Sequence, residues 1–334
     1  MMKKFLLLFV FLWNFTLGYT QNNKNDVALI VNNPDLLKII PNQLEVEILG
    51  NNFEWAEGPL WLAEQQKLLF SDIPSNVVYE WTEDGGVKTY LKPAGYTGTK
   101  PREGEPGSNG LLLSPNGELV LCQHGDRQIA KMNSDLKNPK PDFIPLANSY
   151  KGKKLNSPND AVFHKNGELY FTDPPYGLEL LTDDPKKELD FQGVYKTDKN
   201  GNTILLTKEL SRPNGIAFSN DCKKLYVANS DPENAIWMVY DVDKNGGLTN
   251  GKIFFDVTDQ DTAENGNPDG LKVHKNGWIF ATGPKGVWIF TPEGKHLGTI
   301  VTGEKTANCT FNEDYSVLFL TADDYLLQIK LKTN

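Results

Sequence analysis

Six short stretches of the chain share one phase, and in each an acid or an amide opens an apolar run. They are Glu57-Gly-Pro-Leu-Trp61, Asn109-Gly-Leu-Leu-Leu113, Asn159-Asp-Ala-Val-Phe163, Asn214-Gly-Ile-Ala-Phe218, Asp269-Gly-Leu-Lys-Val273 and Asn308-Cys-Thr-Phe-Asn312. Successive starts lie 52, 50, 55, 55 and 39 residues apart. A turn and a second β-rich run follow each one, at Lys67–Ser71, Glu118–Cys122, Glu168–Thr172, Lys224–Ala228, Trp278–Thr282 and Ser316–Thr321. Three of the turns carry Asn-Gly (Asn116-Gly117, Asn166-Gly167 and Asn276-Gly277), the strongest short-range hairpin signal. Hairpins repeating at a period of about fifty predict an all-β fold, a six-bladed β-propeller. Such a ring brings six oxygen-bearing side chains to one axis.

Weaker third and fourth strands follow each hairpin, among them Val77–Trp81, Val87–Leu91 and Gln128–Met132, and Tyr325–Leu331 ends the pattern. Leu44–Leu49 reads as a strand that completes the last blade and closes the ring, removing exposed sheet edges. The propeller domain is therefore placed at residues 44–334, as one closed unit of the 334-residue chain. Residues 1–20 combine a basic start (Lys3, Lys4), an apolar run from Phe5 to Trp13 and a small-residue approach to Gln21. This is a secretory signal pattern too short to span a bilayer, so a periplasmic or secreted location is expected. Residues 21–43 are Asn-rich and polar, and a loosely attached lead-in is expected there.

The formal charge is −9 and only three arginines occur, Arg102, Arg127 and Arg212. An acidic chain without a basic stripe is a poor partner for nucleic acid or an anionic membrane. A monomer acting on a small molecule is expected. The three cysteines, Cys122, Cys222 and Cys309, give no disulfide framework. Two insertions, Pro93–Ser108 and Pro174–Gln192, border the face where the six polar residues gather, and long loops on rigid scaffolds commonly carry function.

Antiparallel pairing returns the end of each second strand to that same face. Asp72, His124, Asp173, Asn229 and Asp323 are therefore expected to join the six. A hard cation suits such an oxygen-rich pocket, since calcium takes about six to eight oxygen ligands in flexible geometry. Glu57 and Asp269 supply two negative charges, and Asn159 and Asn214 add neutral oxygens. Magnesium and manganese stay open as alternatives; zinc is disfavoured because the matched positions offer no His or Cys. Taken singly, each polar residue reads as a turn residue or a channel plug; the metal reading comes from the phased set. His124 is read either as a substrate or proton-transfer group or as a hydrogen-bonded structural residue. His164, His274 and His296 are expected to be exposed turn residues, and the sequon Asn308-Cys-Thr310 to be coincidental.

At these residues the chain resembles the family of senescence marker protein, gluconolactonase and luciferin-regenerating enzyme. The matching pieces run in order: Glu57-Gly-Pro59, Gly95-Tyr-Thr-Gly98, Gly107-Ser-Asn-Gly110, Gln123-His-Gly-Asp-Arg127, Leu155-Asn-Ser-Pro-Asn-Asp160, Phe171-Thr-Asp-Pro-Pro-Tyr-Gly177, Arg212-Pro-Asn-Gly-Ile-Ala-Phe-Ser219, Pro268-Asp-Gly270 and Ala307-Asn-Cys309. The likeness spans residues 45–330 and is nearest to bacterial secreted gluconolactonase-like proteins. It implies calcium at the mouth of the central channel, held at the positions of Glu57, Asn159, Asn214 and Asp269. It also places Asn109, and the loop with Tyr96 and Arg102, beside the substrate. Gln123 departs from the pattern, where Glu is expected in near relatives. Some members hold a second calcium, for which Asp160 is the one candidate here.

The implied chemistry is calcium-dependent hydrolysis of a sugar lactone. Asp269 is the expected base for the attacking water and His124 the alternative. Two competing readings remain: hydrolysis of another ester or phosphotriester, and a non-catalytic calcium-stabilised binding propeller.

Overall fold

The computed structural model describes residues 27–332, and the predicted secretory leader lies outside them. Each expected hairpin extends outward into an antiparallel sheet of four strands, giving six sheets in a ring, with a separate two-stranded hairpin at residues 149–154. The inner strands are Ala56–Leu62, Ser108–Leu113, Ala161–Phe163, Pro213–Phe218, Leu271–Val273 and Thr306–Phe311. The third and fifth are short because their site residues, Asn159 and Asp269, stand just before the paired segment.

The inner strands approach one another closely enough that side chains are excluded at some positions. A Cβ on Gly215 would lie 2.2 Å from the Asp269 carbonyl oxygen of the next blade. One on Gly58 would lie 2.0 Å from the Asn109 oxygen, and the Gly58 backbone has φ +52°, a conformation that favours glycine. Apolar residues fill the space between adjacent blades. Phe171 stacks on Tyr195 at 5.3 Å within the third blade, and Trp237 of the fourth blade meets Phe290 of the fifth edge-on at 5.5 Å. Each large side chain so buried contributes about 1.5–3 kcal/mol.

The ring closes as expected: Val46–Gly50 pairs with Tyr325–Lys330, with Val46 opposite Ile329 and Ile48 opposite Leu327. The lead-in differs from expectation. Ala28–Val31 adds a fifth strand to the fifth blade, against His296–Val301. A 3₁₀ turn at Pro34–Lys38 follows, capped by Asn33, whose Oδ1 accepts from Asp35 N at 2.9 Å. Leu36, Ile39 and Ile40 are buried against Leu297, Ile300 and Ile329. The polar composition of the segment conceals these few apolar residues, and they anchor it.

The three histidines expected in exposed turns are all partly or wholly covered, and His164 meets Phe218 edge-on at 5.2 Å. His274 is buried among Phe280, Phe311 and Tyr315. His296 stacks on Trp288 at 4.4 Å. All three cysteines are free, as their positions in three different blades dictate.

Candidate active site

The first residues of the inner strands surround a cavity of about 270 Å³ on one face of the ring. Glu57, Asn109, Asn159, Asn214 and Asp269 all line it. The sixth residue, Asn308, is buried beside them, and its Nδ2 donates to Glu57 Oε2 at 3.1 Å. Glu57 Oε2 also accepts from Gly58 N at 2.7 Å. Asn214 Nδ2 donates to Ser230 Oγ at 2.9 Å, which orients the amide.

The residues that end the second strands behave differently from expectation. Asp72 Oδ1 accepts from Glu54 N at 3.2 Å and Trp55 N at 3.1 Å. Asp173 accepts from Asn156 N at 2.9 Å and Ser157 N at 2.8 Å, and Asn229 Oδ1 accepts from Arg212 N at 2.8 Å. In three blades the same device ties down the backbone two or three residues before the site residue. Asp72, Asp173, Asn229 and Asp323 do not line the cavity; three of them hold the frame that aims Glu57, Asn159 and Asn214.

His124 is wholly buried and does not line the cavity either. Its Nδ1 lies 3.2 Å from Glu105 Oε2, and it is Glu105 that reaches the cavity wall. Tyr96 and Arg102, expected beside the substrate, line a second cavity of about 560 Å³. There Arg102 spans two loops, donating to Gly125 O at 3.0 Å and to Gly177 O, with its guanidinium over the Tyr96 ring. Tethering of the two loops, rather than contact with the central cavity, accounts for the place of Arg102.

Sequence reasoning missed several wall residues: Glu105, Tyr176, Ser230, Asn267 and Lys305. Glu105 and Tyr176 come from the two insertions expected to rise over this face. Ser230 is the residue after Asn229, and its hydroxyl donates to Pro268 O. Asn267 follows a short helical turn, Thr262–Asn265, that brings the chain to Asp269.

Burial dominates the electrostatics. It pushes Glu57 up to about 7, opposed by the Gly58 N–H and Asn308 bonds. Asp269 rises well above the usual carboxylate range, first through burial and then through the negative charges of Glu57, Glu105 and Asp160. Two buried carboxylates facing one cavity are costly unless a positive charge accompanies them. Asp269 Oδ1 and Asn109 Oδ1 are buried without a hydrogen-bond partner, which is what donor atoms reserved for a cation look like. Among the described residues no metal-holding group of three or more His, Cys, Asp and Glu side chains forms; the cavity instead joins two carboxylates to amide oxygens. That donor set fits a hard, oxygen-seeking divalent cation.

A six-bladed propeller with an acid-and-amide cavity at its channel mouth defines a class of small-molecule site on a rigid ring. Residues 55–324 match the model of the SMP-30/gluconolactonase/LRE-like region, and the chain belongs to that family. It is 38% identical over 306 residues to a gluconolactonase of Zymomonas mobilis, covering 90% of this chain and 85% of that protein. A solved gluconolactonase from Xanthomonas campestris is 29% identical, with a TM-score of 0.77, covering 91% of this chain and 95% of the other. The calcium-binding protein regucalcin of Agrobacterium tumefaciens shares the fold at 18% identity, with a TM-score of 0.65 over 87% of this chain and 96% of its own.

Proposed function

We propose that the protein is a lactonase that hydrolyses a sugar lactone such as glucono-1,5-lactone to the aldonic acid, with calcium as its metal. The observation that carries this reading is the pairing of buried Glu57 and Asp269 with amide oxygens around one cavity, with Asp269 Oδ1 left unpartnered. Family membership and the gluconolactonase relatives support it.

Glu57, Asn159, Asn214 and Asp269 would hold the cation. When bound, calcium supplies a fixed positive charge that polarises the lactone carbonyl. Asp269 is the base of choice, because its carboxylate borders the cavity with the Asn214 amide as the one donor beside it; a positioned base is worth about 10²–10⁴ in rate. His124 is the weaker candidate, since Glu105 stands at the wall and the imidazole does not. Asn109, Glu105, Tyr176 and Lys305 offer the donors and acceptors that a polyhydroxylated ring requires.

These polar and charged side chains, on a wall that also carries Trp55 and Ile73, favour a sugar lactone over an aryl ester or phosphotriester. Rates on a panel of aldonolactones, an aryl acetate and a phosphotriester test the choice. Turnover confined to lactones supports it; faster turnover of the aryl ester or the triester overturns it. Action in the periplasm or outside the cell is proposed from the leader pattern at residues 1–20 alone.

A further inference from the structure

Beneath the cavity the channel holds a second charged layer that the mechanism leaves unused. Asp160 occupies the position after the site residue where Gly58, Gly110, Gly215 and Gly270 stand in four other blades. Its carboxylate is buried and accepts from Ala161 N at 2.8 Å and Ile216 N at 3.4 Å. Lys272, from the fifth inner strand, reaches to 3.9 Å from Asp160 Oδ2. The same ammonium donates to Leu271 O at 3.2 Å and Asn308 Oδ1 at 3.4 Å. Asn308 in turn donates to Glu57. One lysine thus ties the third, fifth and sixth blades together directly under the site.

The charges can be summed. Glu57, Asp160 and Asp269 carry −3 when ionised, and Lys272 brings the buried group to −2, while Glu105 and Lys305 on the cavity wall offset each other. Uncompensated charge in a channel of low dielectric is expensive, and a third carboxylate there needs a partner that cannot diffuse away.

We propose that Lys272 is a positioning residue, a tethered counter-charge that neutralises Asp160 and braces Asn308. Glu57 and Asp269 are then the two charges presented to a divalent cation. This inference rests on the calcium reading of the cavity.

The test is a cycle of four proteins: wild type, D160N, K272M and the double variant. Each is stripped with chelator and titrated with calcium by calorimetry, and each is unfolded with urea in chelator. D160N leaves an unbalanced ammonium under the site and should weaken calcium binding about tenfold or more. The double variant restores the charge of −2 and should return the affinity to within about threefold of wild type. A double variant that binds as weakly as D160N, or more weakly, overturns the proposal. If wild type takes up no calcium, the calcium reading fails by itself, and the urea series decides the pairing. A double variant more stable than the sum of the single losses allows supports the pair; simple additivity of the two losses overturns it.

Discussion

The side-chain amide of Asn308 donates to Glu57 Oε2 at 3.1 Å, joining residues 251 positions apart in the chain. This bond links the inner strand of the last blade to that of the first. The ring is therefore closed at the outer edge by Val46–Gly50 on Tyr325–Lys330, between the two blades by Trp61 stacked on Phe319 at 5.2 Å, and at the site by this amide. Asn308→Ala removes the inner closure and leaves a buried carboxylate short of a donor. Hydrogen bonds to charged groups are worth about 1.5–3 kcal/mol, and urea unfolding in chelator above about pH 7, where Glu57 is ionised, should show a loss of that size. The calcium titration of the same variant should show weaker binding. Unchanged stability would mean that the Asn308–Glu57 bond contributes nothing to the closure.

Cation binding should release protons. Burial raises both Glu57, to about 7, and Asp269, so the cation-free folded protein keeps protons that the unfolded chain has given up. The sign follows: these groups make the cation-free fold less stable as pH rises from the ordinary carboxylate range, about 4, through the folded value. Calcium needs the ionised forms and displaces the protons. Its affinity should therefore rise with pH up to and beyond about 7. Calorimetry in buffers of different ionisation enthalpy should detect release at about pH 6. No release there would contradict the assignment of these two carboxylates as ligands.

Glu105 should read the sugar rather than drive the chemistry. It lines the cavity, with His124 buried 3.2 Å behind it. Glu105→Gln should lower kcat/KM for glucono-1,5-lactone by about 10- to 100-fold, the worth of one or two hydrogen bonds to a charged group. The effect on δ-valerolactone, which carries no hydroxyls, should be below about threefold. Equal losses on both lactones would instead place Glu105 in the chemical step.

The N-terminal strand should loosen in acid. Asn32 Nδ2 lies 3.0 Å from His296 Nδ1 and donates to it, so this nitrogen carries no proton. Burial holds the imidazole below its ordinary value. The unfolded chain takes up the proton first as pH falls, so the contribution is complete above about 6.5 and is lost below it. Wild type should lose more stability than His296→Gln between about pH 7.5 and pH 5. Parallel pH profiles of the two proteins would show that this contact is not titrated.

The ring was legible because its evidence is periodic: six apolar runs in phase and three Asn-Gly turns leave little choice of fold. The closing strand at Val46–Gly50 was legible for the same reason, as one more β-rich run that the last blade lacked. The cavity residues Glu57, Asn109, Asn159, Asn214 and Asp269 followed from their shared phase. Asp72 and Asp173 were not separable from them, because an acid at a strand end reads alike whether its carboxylate faces a cavity or caps backbone N–H groups. Glu105 and Tyr176 were visible only as members of insertions, since loop geometry decides which of their side chains turn inward. Ile39 and Ile40 were obscured by the polar residues around them.

The central claim is tested most directly by the rate of glucono-1,5-lactone hydrolysis above the spontaneous rate, with calcium and again after chelation. The account predicts turnover that is lost on chelation and restored by calcium, and that falls by about 10² or more in Asp269→Asn. Lactone turnover that survives chelation, or calcium binding with no turnover of any lactone, would contradict it.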